Sequence, residues 1–392
     1  MADFFFRGDI PGSKSVFNRA LIVQSFFPAM DLYGFAGCDD VRFMREGLKH
    51  ISDHSRIDCG EGGTTFRFMA LRTSRQPGVH VLMGTPRLMA RPQKGLLQLL
   101  HQLGVHAQIK ENKLHIVGDG WKKPLDPIKV DTSESSQYAS ALILSSWDLD
   151  FDLEFELVGD KVSESYFTLT LEMLRKMGLK VVQHTENGYL ISRGQRLINS
   201  AFEVEADMSS MFTMAAAGAL AGTSLIQNFP PETKQPDKVF LEIFRKMKIE
   251  TKLEGRLLEV HKNPQMVGVD WNLFQSPDLF PVLAVVCSWA RGTSKLHGAP
   301  HLISKESNRI EKVADLFKLL GVQFETLPDG MIIHGNPSQT LRQGVVFNPD
   351  QDHRMVMAAT LMKLKGHEIQ IEHPEAINKS FPEFWDMMGL KA

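Results

Sequence analysis

Cysteine is scarce in this chain: Cys38, Cys59 and Cys287 are the only three in 392 residues, an odd number with no close pair. That spacing excludes a disulfide framework and a zinc ribbon, and the thiols are expected to be reduced. Neither sign of charge prevails, with 44 Lys and Arg against 46 Asp and Glu. No global field favours nucleic acid or an anionic membrane as partner, so any anion must be bound by local groups. No apolar run approaches the ~20 residues of a membrane-spanning helix. The opening stretch MADFFFRGDIPGSK lacks the long apolar core of a secretory signal, and a cytoplasmic location is expected. His50 and His54 stand at a spacing that can bind zinc, but no third ligand is evident near them, and no metal is expected.

What the chain does have is repetition. LLQLLHQLGVHAQIKENKLHIVG, TLTLEMLRKMGLKVVQHTENGYLISRG, FLEIFRKMKIETKLEGRLLEVH and EKVADLFKLLGVQFETLPDGMIIHG follow one pattern. In the first, Leu97, Leu100 and Leu103 recur at helical spacing, Gly104 ends the helix, and the residues from Val105 to Ile109 alternate as a strand does. The helices close at Gly104, Gly178, Lys248 and Gly321, and FWDMMGLKA repeats the closure at Met388-Gly389. An earlier piece, VRFMREGLKHISDHSRIDCGEGG, reads as the same unit with its hairpin shortened. Six such units fit 392 residues. This length suits two domains of three units each, and the many Met and Phe residues fall at their apolar positions.

The chemistry-bearing residues punctuate the units. In PGSKSVFNRAL, Ser15 and Arg19 share a helix face with Lys14 just ahead, either an N-cap serine with solvated charges or an anion site. CGEGGTTF puts Gly60, Gly62 and Gly63 before a helix, where backbone N–H groups can approach a phosphate, although the lysine of a Walker A loop is missing. Arg87 and Arg91 lie in a short connection, and Ser133, Ser135 and Ser136, then Ser163, Ser165 and Tyr166, precede further helices. In the second half a lone acid, Asp278, heads an apolar helix; Lys305, Glu306 and Arg309 cluster in SKESNRI; and Asp352, His353 and Arg354 stand at another helix start, with Lys379 beyond. A solvated ion-pair lattice would explain SKESNRI alone.

In this order, PGSKSVFNRAL, GGTTFRF, PRLMARP, SSQYASAL, VSESYFTLTLEML, SPD, SKESNRI, DHRMVMA and NKSFPEF resemble 5-enolpyruvylshikimate-3-phosphate synthase, the 3-phosphoshikimate 1-carboxyvinyltransferase family. The resemblance implies an α/β (α+β) fold of two domains. Each would hold three βαβαββ repeats with pseudo-threefold symmetry, the first repeat shortened. Residues 14–205 would form one domain and 1–13 with 206–392 the other, with the active site in the cleft that closes over the substrates. It implies transfer of the enolpyruvyl group of phosphoenolpyruvate to the 5-hydroxyl of shikimate 3-phosphate, without cofactor, by a monomer. By the same resemblance Glu306 exchanges the proton with the methylene carbon, Asp278 deprotonates the hydroxyl, and Lys14 assists either transfer. Phosphoenolpyruvate would be held by Lys14, Gly63, Arg91, Gln137, Arg309, Arg354 and Lys379. Shikimate 3-phosphate would meet Lys14, Ser15, Arg19, Ser135, Ser136, Gln137, Ser163, Tyr166, Asp278 and Lys305.

Several positions depart from the family pattern. The chain between Met44 and Gly60 is short, Glu61 stands for an asparagine, His301 for a substrate-binding asparagine, Ile303 for a frequent arginine and Asn308 for an aspartate. Two alternatives accompany the main reading. One is the sister reaction on UDP-N-acetylglucosamine, against which stand Pro86 in place of a reactive cysteine and Lys14-Ser15 in place of Lys-Asn. The other is a non-catalytic protein that binds shikimate phosphate.

Overall fold

A computed structural model describes residues 3–52 and 55–391. His54, and with it the His50 and His54 pair, lies outside the described residues. The chain divides into two compact units, one of Gly12–Glu205 and one of Met1–Pro11 with Ala206–Ala392. They are called here the central and the split unit. No described helix is long and apolar enough to cross a membrane.

Among the described residues each unit contains two four-stranded sheets and one two-stranded sheet of the same topology. In the split unit, Asp270–Asn272 runs parallel to Gly292–His297, which pairs antiparallel with Gly330–Gly335 and so with Gln323–Leu327. Phe4–Gly8, Gly222–Ile226, Leu257–His261 and Thr251–Glu254 repeat this order. In the central unit the same order is built by Arg56–Asp58, Pro77–Met83, Lys113–Asp119 and His106–Lys110, and by Ile128–Asp131, Leu153–Val158, Gly188–Ile191 and Val181–Gln183. The third sheets are only parallel pairs, Val345–Phe347 with Ile369–Ile371 and Ala201–Glu203 with Asp31–Tyr33. The first repeat, read as having a shortened hairpin, is shortened to the point that no hairpin follows its second helix among the described residues. The helix Asp39–Lys49 is followed by Arg56–Asp58, which is already the first strand of the next sheet.

Parallel neighbours need a crossover, and helices supply it. Lys14–Gln24, Gly63–Thr73 and Gln137–Leu144 pack on one another in the central unit, as Met208–Ala221, Phe280–Ser288 and His353–Leu364 do in the split unit. Gln137–Leu144, Met208–Ala221 and Phe280–Ser288 are apolar nearly all round, as in FPVLAVVCS, and such a helix is stable only when surrounded. Each unit accordingly has its own core cluster. The helix starts are thereby fixed against one another within each unit, and Lys14, Gly63, Ser136, Asp278 and Asp352 sit at or just before those starts.

The helix closures follow the glycine pattern. Gly104, Gly178, Gly321 and Gly389 take φ of 75°, 110°, 75° and 63°, and Lys248 takes the same left-handed conformation at 62°. A side chain there costs about 1 kcal/mol against glycine. Lys248→Gly is expected to raise stability by about 0.5–1 kcal/mol, the larger entropy of glycine in the unfolded chain offsetting part of the gain. A urea midpoint no higher than that of the parent chain would show that the lysine at this turn carries no strain.

Candidate active site

In the central unit the first helix begins at Lys14, with Ser13 at the N-cap in extended conformation. Ser15, expected at the cap, lies instead inside the first turn. Lys14 Nζ is 2.8 Å from Oδ2 of the buried Asp40. One turn on, Arg19 is 2% exposed and donates to Thr170 Oγ1 at 2.7 Å, the Ser15 carbonyl at 2.7 Å and the Tyr166 carbonyl at 3.3 Å. All these acceptors are neutral, and burial lowers the guanidinium pKa to about 10. A buried cation held only by neutral dipoles gains from any anion that reaches it.

In the same unit, Arg67 donates to Gln137 Oε1 at 2.7 Å and to Ser135 Oγ at 3.3 Å, and Gln137 Nε2 donates to Thr64 Oγ1 at 3.1 Å. The helix Gly63–Thr73 starts without a capping side chain, so its first N–H groups remain available at its positive end. A Cβ at Gly63 would stand 2.9 Å from Nη1 of Arg91, so the guanidinium lies directly over this turn because the residue is glycine. Ser136 is buried at the start of its helix and makes no capping bond. Ser163, also buried, is held left-handed at φ 54° ahead of Glu164–Met177. Strain of this kind in a non-glycine residue concentrates at functional sites.

The split unit carries a denser network. Arg309, 1% exposed, donates from Nε to Asp352 Oδ2 at 2.9 Å, from Nη1 to Asp278 Oδ1 at 2.8 Å and from Nη2 to Glu306 Oε2 at 2.9 Å. Lys379 Nζ reaches the other oxygen of Glu306 at 3.0 Å, Arg354 Nη2 the other oxygen of Asp278 at 2.9 Å, and Lys305 stands 3.7 Å from Asp278. Ser307 Oγ completes the hold on Asp352 at 3.0 Å. Burial works against the ionisation of Asp278, but Arg354, Lys305 and Arg309 outweigh it and keep the carboxyl well below its usual range. Burial likewise opposes the charge on Arg309, and Asp352, Glu306 and Asp278 overcome it. Asp278 and Glu306 thus lie on two nitrogens of one guanidinium, each with a further cation on its second oxygen. The arrangement can bind anions by exchange with its own carboxylates, and it presents two acid–base groups side by side. Among the described residues no group of side chains forms a metal site.

The family described as EPSP synthase (3-phosphoshikimate 1-carboxyvinyltransferase) matches residues 38–388. The chain belongs to the EPSP synthase family. The 3-phosphoshikimate 1-carboxyvinyltransferase of Methanocaldococcus jannaschii is 32% identical over 337 residues, covering 85% of this chain and 78% of that one. That of Bacteroides fragilis is 29% identical over 386 residues, covering 96% and 93%. The structure of EPSP synthase from Acinetobacter baumannii superposes with a TM-score of 0.75 at 22% identity, over 99% of this chain and 95% of that one. The enolpyruvyl transferase NikO from Streptomyces tendae does so at 0.76 and 12% identity, over 99% and 95%. At such identities these two likenesses speak for the fold alone.

Membership in the EPSP synthase family makes this an enzyme of the carboxyvinyltransferase type, and the candidate residues can be traced on that basis. Asp278, Lys305, Glu306, Arg309, Arg354 and Lys379 all fall in the single network of the split unit. Lys14, Ser15, Arg19, Gly63, Arg91, Ser135, Ser136, Gln137, Ser163 and Tyr166 all lie in the central unit, most of them at helix starts. The reading of the sequence gave no role to Asp352, Ser307, Asp40, Arg67 or Thr64, which hold these residues in place. Two of them had a local signal, an acid at a helix start: Asp40 in the first turn of Asp39–Lys49, and Asp352, which caps His353–Leu364 by accepting from the Arg354 N–H. Among the departures, Asn308 caps Arg309–Leu320 by accepting from the Glu311 N–H, and Ile303 is exposed. His301 packs edge-on against Phe274 with both ring nitrogens buried; burial and then Lys305 lower its pKa to about 4, so the ring is neutral near pH 7.

Proposed function

We propose that the chain transfers the enolpyruvyl group of phosphoenolpyruvate to the 5-hydroxyl of shikimate 3-phosphate and releases phosphate, both units contributing groups to the reaction. The observation that carries this reading is Arg309 holding Asp278 and Glu306 together, at 2.8 and 2.9 Å, with Arg354, Lys305 and Lys379 around them. The reaction adds an alcohol across a vinyl phosphate. A proton must reach the methylene carbon while the hydroxyl loses one, and the tetrahedral adduct then expels phosphate and returns a methyl proton. Two acid–base groups beside an anion clamp meet that need. Glu306 exchanges the carbon proton, Asp278 takes the hydroxyl proton, and Lys14 assists.

The clamp also gives Asp278 its timing. A carboxyl held this far down is a poor base. When the phosphate and carboxylate of phosphoenolpyruvate take Arg354 and Arg309, the positive field on Asp278 falls and its basicity rises. Arg91, Lys379, Gln137 and the N–H of Gly63 complete the hold on phosphoenolpyruvate. Ser135, Ser136 and Ser163 take the phosphate of shikimate 3-phosphate, Tyr166 packs beside it, and Ser15, Arg19 and Lys305 meet its hydroxyls and carboxylate. The buried Arg19, with only neutral acceptors, supports an anionic ligand on the central unit.

Phosphate release from phosphoenolpyruvate tests the reading, with shikimate 3-phosphate and UDP-N-acetylglucosamine as parallel acceptors. Release that depends on shikimate 3-phosphate is expected. Release with the sugar nucleotide alone would move the chain to the sister reaction, and none with either, from folded protein that binds shikimate 3-phosphate, would favour the non-catalytic alternative. Glu61 is half-buried immediately before Gly62 and Gly63. If its charge is felt at the phosphoenolpyruvate site, Glu61→Asn lowers the apparent KM for phosphoenolpyruvate about three- to tenfold, the scale of one partly screened charge. An unchanged KM would place that charge toward solvent.

A further inference from the structure

One buried carboxyl against the split-unit network has no role in the reaction as derived. Asp237, 2% exposed, lies in the short turn Pro236–Val239. Its Oδ2 accepts from the Ser209 hydroxyl, while its Oδ1 is buried with no hydrogen-bond partner among the described residues. Ser209 is 7% exposed, and its Oγ in turn accepts from Arg354 Nη2 at 3.1 Å, the nitrogen that also donates to Asp278 at 2.9 Å. A chain therefore runs from the guanidinium through a hydroxyl to an interior carboxyl. Its far end is pinned. Gln235 accepts from the Met208 N–H at 3.1 Å and donates to the Ala206 carbonyl at 2.8 Å, and Asp207 caps the same helix at Ser210 N, 2.8 Å away.

We infer that Asp237 is a positioning residue for Arg354: through the Ser209 hydroxyl it fixes the guanidinium that receives phosphoenolpyruvate, and it changes protonation when that guanidinium changes partners. This rests on the reading of the network as the phosphoenolpyruvate clamp. The physical ground is the set of groups that face Asp237. Asp278 and Asp207 disfavour its charge; Arg354 and the Ser209 hydroxyl favour it. Burial, with Asp278 next, pushes its pKa up to about 7 against the pull of Arg354. A substrate anion on Arg354 cancels that pull, so the carboxyl takes up a proton as the anion binds.

The test uses the full chain, Asp237→Asn, Ser209→Ala and Ser209→Thr, each checked for folding by circular dichroism. Calorimetric titration with inorganic phosphate near pH 7, in two buffers of different ionisation enthalpy, reads proton uptake. The parent chain is expected to take up a fraction of a proton that Asp237→Asn does not. In steady state with saturating shikimate 3-phosphate, Ser209→Ala is expected to raise the KM for phosphoenolpyruvate about tenfold while kcat changes less than threefold and the KM for shikimate 3-phosphate stays put. Ser209→Thr, which restores the hydroxyl, should recover most of that loss. Equal proton uptake with and without the carboxyl would overturn the inference, as would an unchanged phosphoenolpyruvate KM in Ser209→Ala. A parent chain that binds phosphate but does not turn over would count against the proposed reaction only, and the phosphate titration would still decide the role of Asp237. Should Asp237→Asn fail to fold, Ser209→Ala and its threonine rescue decide it.

Discussion

Glu306→Gln is expected to lower turnover by about 10²- to 10⁴-fold, the range that a positioned proton donor contributes, while the affinity for shikimate 3-phosphate changes only a few-fold. The substitution keeps shape and volume. Glu306 receives Arg309 Nη2 at 2.9 Å on one oxygen and Lys379 Nζ at 3.0 Å on the other, and glutamine can accept only one of these, so its amide faces the second cation. Some loss of phosphoenolpyruvate affinity follows from that repulsion, which is why turnover at saturation is the quantity to measure. Exchange of deuterium into the methylene group of phosphoenolpyruvate is the second readout, since a residue that only binds the substrate would leave exchange intact. Turnover near that of the parent chain would remove Glu306 from the proton transfer.

The repeats were readable in the sequence because helix closure is a local event. Gly104, Gly178 and Gly321 mark it by their backbone freedom, and Lys248 takes the same conformation with the glycine absent. The helix starts were readable too, to within a turn. Lys14 opens the first helix because Ser13 is the last extended residue, which moves Ser15 from the cap into the helix. What local pattern could not show is which distant group meets which. Arg309 and Asp352 are brought together by the packing of two helices, Arg67 and Gln137 by that of two others, and Asp237 meets Ser209 because the turn Pro236–Val239 packs on the helix Met208–Ala221. How far the first repeat is shortened was hidden for the same reason. Arg56–Asp58 lies within the segment read as one unit, and only its parallel register with Val81, Leu82 and Met83 assigns it to the next sheet.

Arg309→Leu is expected to destabilise the protein by about 3–5 kcal/mol, because it leaves carboxylates buried without the cation they share. Asp352 is fully buried, and besides Arg309 it accepts from the Ser307 hydroxyl and the Arg354 N–H, with the His353 ring 3.7 Å away. Arg309→Lys should lose less but still a substantial part, since one ammonium cannot reach Asp352, Asp278 and Glu306 at once. The pH dependence has a definite sign. Asp278 is held below its ordinary pKa in the folded chain, so its contribution is present above the unfolded value and is lost as pH falls through the folded one. Without Arg309 that depression is smaller, and acid unfolding should begin at higher pH. Urea unfolding at pH 7 together with an acid titration measures both effects. A double-mutant cycle with Asp352→Asn separates the pair from its surroundings: if the charge pair is what holds the site, Arg309→Leu costs much less once Asp352 has lost its charge. Additive losses in that cycle, or a loss below about 1 kcal/mol in Arg309→Leu alone, would mean that the network is held by the packing of the helix starts and that Arg309 serves only the substrate.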